Sequence, residues 1–358
     1  MCDFRPVITG VIGAGAISDA YLSNLTGRFS DRIKVKYISA SHIERAEKKA
    51  AQYGVIGCTN DVILNDPEVE MVIILTPVAV HGSLIRSALE AGKHVYTEKT
   101  ITVNSSEAEE LILLAKEKGL YLGSAPDTFL GSSFATAKKA IDDGMLGEIH
   151  SFTASITRNN DILTGMFPFL RQPGAGILRD YVVYYLTALT TLLGRTDTVA
   201  AFLQTPYPER TCNFPGSPDC GKTITTPNEA ILTAVLKLEN GITGTFHDDS
   251  ETCLIDRADF VIYGTRGMLL LGNPNNFGDP VRFVPAIPAS FTEPQTPVIL
   301  DPVNDYSSNC RGLGACDMAE AIRNSSKHRA NAELALHVLR IIEALEKSAA
   351  EGTFVPVR

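Results

Sequence analysis

The chain has no apolar window long enough to span a bilayer, no block of basic residues, no cysteines spaced as C-x-x-C, no low-complexity tract and no internal repeat. Each absence removes a class of function. Without a run of roughly 20 apolar residues there is no candidate membrane helix. The opening MCDFRPVITG lacks the basic and apolar blocks of a secretory signal, so cytoplasmic residence is expected. Seven cysteines, Cys2, Cys58, Cys212, Cys220, Cys253, Cys310 and Cys316, are odd in number and scattered. That argues against a disulfide framework and against a zinc site. The N-x-S/T triplets at Asn24, Asn104 and Asn324 have no meaning without a secretory route. A net charge of −9, with no Lys/Arg stripe interleaved with aromatics, argues against a nucleic-acid partner.

What is present is an ordinary globular composition, 44% hydrophobic and 20% charged, over 358 residues. That length suits two domains, or one with a large insertion. The first part alternates apolar runs with helix formers. VITGVI, KVKYIS, MVIILT, HVYTE and LYLGS read as strands. Residues 17–28, 43–53, 80–91 and 105–118 read as helices, the last three ending at Gly54, Gly92 and Gly119. This alternation predicts a doubly wound parallel α/β sheet of the Rossmann type over residues 1–126. From Asp127 the rhythm changes. After a helix at 131–143 come EIHSFTASIT, TVAAFLQ, EAILTAVLKLE, ITGTFHD, ADFVIYG and GMLLLG, with little helix between the later ones. They predict an α+β domain over 127–358 with a mostly antiparallel open sheet. The Pro-, Gly-, Asn- and Thr-rich stretches 205–228 and 273–308 read as loops, and helices at 312–323 and 331–348 close the chain. Apolar residues in EAILTAVLKLE and ADFVIYG make a bare sheet face costly, which predicts a homo-oligomer, most simply a dimer.

After the first strand stands GAGAIS, residues 13–18. In a strand–turn–helix context, Gly13 permits the tight turn and Gly15 lets a pyrophosphate approach the backbone. Ser18 replaces a third glycine with another small residue. The helix start, with Ala16 and Ile17, faces the phosphates with unpaired N–H groups and a positive dipole end. The second strand ends Ile-Ser-Ala-Ser-His at 38–42, without the carboxylate that would bind the ribose diol of NAD. Ser41 and His42 are therefore candidate contacts to a 2′-phosphate, pointing to NADP in preference to NAD.

Several further pieces run in order along the chain: GAGAIS, LTPVAVH, EAGKHVYTEK, APDTFLG, GAGILRDYVVYYLTALTTLLG and RANAELALHVLRIIEALEKS. In these the sequence resembles the glucose–fructose oxidoreductase/inositol dehydrogenase family, Gfo/Idh/MocA. The resemblance implies a nicotinamide cofactor and a small-molecule alcohol or ketone substrate. It places Thr76, Pro77 and His81 in the loop lining the nicotinamide, Glu98 on the cofactor, and Lys99 beside the reacting hydroxyl. It also places Asp180 on a helix facing the substrate, with Tyr184 four residues on, where many members carry histidine as acid–base group. Lys99, Asp180 and Tyr184 are thus the candidate catalytic residues. A nearby oxidised nicotinamide would ease deprotonation of Lys99, and Lys99 would do the same for Tyr184. Tyr185 reads as a core aromatic.

Three departures from the family pattern stand out. Thr100 replaces the usual proline after Glu-Lys, Val182 replaces a small glycine, and Tyr184 replaces histidine. They leave three functions open: net hydride transfer on a sugar, polyol or other cyclic alcohol or ketone; cofactor-retaining isomerisation, epimerisation or elimination; and cofactor sensing without catalysis.

Overall fold

The structure is a computed structural model that describes residues 5–253, 257–286 and 295–358. Its contacts divide the chain into two compact units, residues 1–130 with 308–339 and residues 131–307 with 340–358. The C-terminal segment is therefore shared between them.

The first unit is built on six parallel strands: β1 (Val7–Ile12), β2 (Ile33–Ser39), β3 (Ile56–Cys58), β4 (Met71–Ile74), β5 (His94–Thr97) and β6 (Leu122–Ser124). Their order is β3-β2-β1-β4-β5-β6. Helices α1 (Ser18–Thr26), α2 (Ile43–Tyr53), α3 (Asn60–Asn65), α4 (His81–Glu90) and α5 (Ser105–Glu117) make the crossovers. The chain starts in the middle of the sheet, winds outward through β2 and β3, and begins again at β4. The two halves therefore part between β1 and β4, where open α/β sheets bind ligands at their carboxyl edge. β4 is buried at every residue, as its unbroken apolar run requires. Gly54 closes α2 in the left-handed conformation, its N–H bonded to the Ala50 carbonyl. At the start of α5, Asn104 Oδ1 accepts the Glu107 N–H at 3.0 Å. Between residues 55 and 70 the sequence carries no periodic signal, because β3 and α3 have only three and six residues.

The second unit holds α6 (Ser132–Asp142), β7 (Ile149–Thr157), α7 (Asn160–Met166), α8 (Val183–Leu193), β8 (Thr196–Gln204), β9 (Glu209–Thr211), β10 (Thr223–Thr225), β11 (Ile231–Leu238), β12 (Thr243–Asp249), β13 (Arg257–Gly264), β14 (Gly267–Leu271), β15 (Arg282–Pro285) and β16 (Val298–Ile299). Of the elements that follow, α9 (Leu313–Asn324) belongs to the first unit, α10 (Ala332–Glu351) begins in the first and ends in the second, and the short strand β17 (Val355–Pro356) belongs to the second. Nine strands form one sheet, β16-β15-β14-β13-β7-β12-β11-β8-β17. All neighbours are antiparallel except β7 and β12. Phe152, Leu232, Phe246, Phe260 and Leu269 fill its buried face, with Tyr185 of α8 stacked on Phe246 at 4.9 Å between ring centroids.

Both stretches read as loops carry strands. β9 and β10 pair as a hairpin within 205–228. β15 and β16 extend the large sheet within 273–308, of which 287–294 lie outside the described residues. Cross-strand bonding overrides the turn-forming composition there. Among the described residues all six cysteines are free thiols, and no cluster of three or more His, Cys, Asp or Glu could hold a metal ion. Among the described residues no helix is long and apolar enough to cross a membrane.

Candidate functional site

The loops leaving β1, β4 and β5 emerge side by side at the carboxyl edge of the parallel sheet. Gly13 has φ +116°, and a Cβ there would meet the Leu75 carbonyl oxygen at 2.6 Å. Conformation and crowding both require glycine. Gly15 differs: a Cβ would meet nothing within 4 Å. Gly15 and Ala16 are exposed, Ile17 is half-buried, and Ser18 is buried at the start of α1. Ser18 does more than stay small, since its hydroxyl donates to the Gly15 carbonyl at 2.6 Å and so fixes the turn.

Ser39 ends β2, accepting the Gly13 N–H at 2.9 Å and donating through its hydroxyl to Asn60 at 2.6 Å. Ser41 and His42 follow, both exposed, and His42 occupies the cap position of α2. One turn on stands Arg45, exposed, its N–H bonded to the His42 carbonyl at 3.1 Å. Arg45 thus supplies a fixed positive charge from the first turn of α2, beyond the strand end where such an arginine is expected.

Thr76 and Pro77 follow β4. Thr76 Oγ1 is buried and has no hydrogen-bond partner among the described residues. His81 is fully buried, with Nε2 2.8 Å from the Thr76 carbonyl oxygen and Nδ1 2.9 Å from that of Thr100. Glu98 and Lys99 follow β5. Glu98 Oε1 accepts the Tyr21 hydroxyl at 2.7 Å and Oε2 accepts the Lys99 N–H at 3.1 Å. The peptide bond between Lys99 and Thr100 is cis. Tyr21, fully buried on α1, was not singled out from sequence because a helical aromatic reads as core. Burial, then the Glu98 charge, pushes its phenol well above the ordinary range. Behind this edge Asp127 is also buried, and burial raises its carboxyl to about 6 although the Gly314 and Gly312 N–H groups bond it.

Asp180 and Tyr184 belong to the second unit. The sequence implied one α-helix with both residues on one face. Instead Leu178–Val182 forms a π-helical turn and α8 begins at Val183. A π turn closes i→i+5 bonds and holds an extra residue, so the i, i+4 alignment does not apply across it. Gly176 and Glu229 set the turn: Glu229 Oε1 accepts the Leu178 N–H at 3.1 Å, in space that a Cβ on Gly176 would fill. Val182 is fully buried in the turn. Asp180 Oδ2 pairs with Arg158 Nη1 at 3.2 Å, and the Arg158 guanidinium lies 3.8 Å from the Tyr181 ring centroid. Tyr184 is 9% exposed, with its ring centroid 5.9 Å from that of Tyr181. Tyr185 is core.

Arg158 closes the buried face of β7. Beside it on β12 lies Asp248, fully buried, with Oδ1 accepting the Ser250 hydroxyl at 2.9 Å and Oδ2 unpartnered among the described residues. Burial raises its carboxyl to about 7, opposed by the Ser250 bond and by Arg158, and assisted by Asp249 and Asp180. Neither residue had a motif to announce it.

The open position at Gly15, the helix start beside it and the unpartnered Thr76 hydroxyl suit a dinucleotide. Comparisons with known proteins agree with this architecture. Residues 7–125 match a family described as an oxidoreductase family with an NAD-binding Rossmann fold, and residues 134–270 match the GFO/IDH/MocA C-terminal domain. The uncharacterized oxidoreductase YhhX of Escherichia coli (strain K12) is 35% identical over 53% of this chain and 54% of its own length. The scyllo-inositol 2-dehydrogenase (NADP(+)) IolW of Bacillus subtilis (strain 168) is 27% identical over 54% of this chain and 53% of its own length. The chain thus spans about half the length of these curated relatives. A levoglucosan dehydrogenase solved with NADH superposes with a TM-score of 0.85 at 21% identity, covering 99% of this chain and 100% of that one. An NAD binding oxidoreductase from Klebsiella pneumoniae gives 0.82 at 21% identity, with 99% of each chain covered. At that identity the two structures speak for the fold alone. With both halves matched, the chain belongs to the Gfo/Idh/MocA oxidoreductase family.

Proposed function

We propose that the protein is an NAD(P)-dependent oxidoreductase that moves a hydride between nicotinamide and a sugar, polyol or other cyclic alcohol or ketone. Residues 1–126 hold the dinucleotide; residues 127–358 meet the substrate and a second copy of the chain, in the cytoplasm. The observation that carries this reading is the contrast between the two glycines. The protein's own backbone demands Gly13, whereas at Gly15 nothing within 4 Å excludes a side chain. A glycine with no protein neighbour at a helix start is what close approach of a pyrophosphate needs.

NADP is the favoured cofactor. No carboxylate stands at 38–42 to repel a 2′-phosphate, and Ser41, His42 and Arg45 are exposed on the same stretch. Thr76 offers its buried hydroxyl, and Pro77 shapes the loop beside it. When bound, the nicotinamide supplies or accepts the hydride at its C4. Lys99 moves the proton of the reacting hydroxyl, Tyr184 is the second proton carrier, and Asp180 orients the substrate while Arg158 balances its charge. Glu98 has both carboxylate oxygens engaged by Tyr21 and the Lys99 N–H. Its part toward the cofactor is therefore to hold the Lys99 turn in place.

Calorimetric titration with NADP and NAD, followed by absorbance of the reduced cofactor over a panel of sugars, inositols and cyclic ketones, tests the reading. NADP binds more tightly and at least one compound turns over. Tighter NAD binding overturns the cofactor assignment. Binding without turnover identifies a sensor, and substrate rearrangement without net reduced cofactor identifies a cofactor-retaining enzyme.

A further inference from the structure

His81 has no exposed surface, yet each ring nitrogen meets a main-chain carbonyl. The two carbonyls lie on different loops. Thr76 heads the loop that leaves β4; Thr100 follows Lys99 in the loop that leaves β5. These strands pair in parallel, with Ile74 opposite Thr97, so the loops start side by side and the imidazole spans them. The far end is itself anchored, because Thr100 is buried and its hydroxyl donates to the Thr102 carbonyl at 3.0 Å. Packing alone would be served by an apolar side chain. A rigid ring with a nitrogen at each end reaches both carbonyl oxygens at a fixed separation, donating to both when each nitrogen carries a proton and to one of them as the neutral ring.

We propose that His81 is a positioning residue that couples the two loops. Its Nε2 sets the segment carrying Thr76 and Pro77, and its Nδ1 sets the turn carrying Lys99. The sequence placed His81 against the cofactor. With no exposed surface and both nitrogens engaged, it acts through its neighbours instead. The inference rests on the reading of Thr76 as cofactor-lining and of Lys99 as the proton carrier.

Two substitutions split the ring into halves. The amide nitrogen of asparagine falls where Nδ1 is, and that of glutamine where Nε2 is. His81→Asn therefore keeps the bond to Thr100 and loses the one to Thr76; His81→Gln does the reverse. His81→Asn weakens NADP binding about tenfold and lowers the saturated rate less than about threefold, whereas His81→Gln lowers the saturated rate about tenfold and barely changes NADP affinity. A third readout needs no turnover. The rate at which limiting acetic anhydride acylates Lys99, mapped by peptide mass spectrometry, changes in His81→Gln and not in His81→Asn. If the wild-type protein turns over nothing, the function proposed above fails, while the binding and acylation measurements still decide the role of His81. Equal losses on every measure in both variants, or no change in either, overturn it. Should the variants not fold, selectively 15N-labelled histidine in the wild type decides: NADP shifts both ring resonances of His81 if the loops are coupled, and neither if they are not.

Discussion

Lys99 has little backbone freedom. Its N–H donates to Glu98, whose other oxygen is taken by Tyr21, and the carbonyl of the next residue meets His81. A side chain on so fixed a stem gains from orientation, provided that it carries the proton. Lys99→Met nearly keeps the length of the side chain, so cofactor affinity stays within about threefold while turnover falls roughly a hundred- to ten-thousand-fold. Tyr184→Phe costs less if Lys99 is the main proton carrier, and about as much if the proton passes through both. Stopped-flow measurement of the reduced cofactor with the two variants separates these cases. Near-normal rates for Lys99→Met overturn its assignment and leave Tyr184 as the candidate. Lys99 was legible because its neighbourhood is contiguous in sequence. Tyr21 was not, because it lies 77 positions from Glu98 and looks like any buried helix residue.

At the scale of elements, the strand–helix alternation of the first unit was legible because long apolar runs and glycine stops are local signals. The π turn at Leu178–Val182 left no such trace: one added residue per turn has no composition, and its determinants, Gly176 and Glu229, are distant partners. The hairpin of β9 and β10 was likewise hidden by turn-forming residues. Asp248 shows what else a strand can conceal. It reads as a polar residue in a half-exposed strand, yet it faces the buried side with Phe246. Its native carboxyl, raised to about 7, keeps a proton that the unfolded chain releases above the ordinary 3.8. Between those values the folded state holds more protons, so this group's contribution to stability falls as pH rises from about 4 to about 7 and is fully lost above that. Asp248→Asn removes that slope. Thermal unfolding finds the variant close to wild type near pH 4 and more stable, by up to about 4 kcal/mol, near pH 8. A variant with the wild-type slope shows that Asp248 is ionised throughout. Asp127, raised to about 6, gives a slope of the same sign and accounts for part of what remains in the variant.

For the whole molecule, the open question is what covers the outer face of the nine-stranded sheet. The apolar residues that motivated a dimer mostly serve the core: Leu232, Ala234 and Leu236 of β11 are buried, as are Phe260 and Ile262 of β13. The alternate residues make a different and more specific case. Register aligns Ala200, Val235, Thr245, Thr153, Val261 and Leu270 in one row across six strands, without a charge. In the next row Phe202, 70% exposed, stands opposite Thr233. Small, β-branched and apolar side chains in register make a flat surface that loses little entropy when covered, and charge depletion at the centre of such a face marks an interface core. A second copy of the chain is the expected cover, because a twofold arrangement presents the same rows to each other. Light scattering at micromolar concentration is expected to give the mass of a dimer. Val235→Glu combined with Phe202→Glu would place like charges opposite one another across that axis and give a monomer that still binds NADP, since both residues are far in sequence from the loops around Gly15 and Thr76. A monomeric mass for the wild-type protein refutes the assignment. A dimer untouched by the two substitutions moves the interface to another surface.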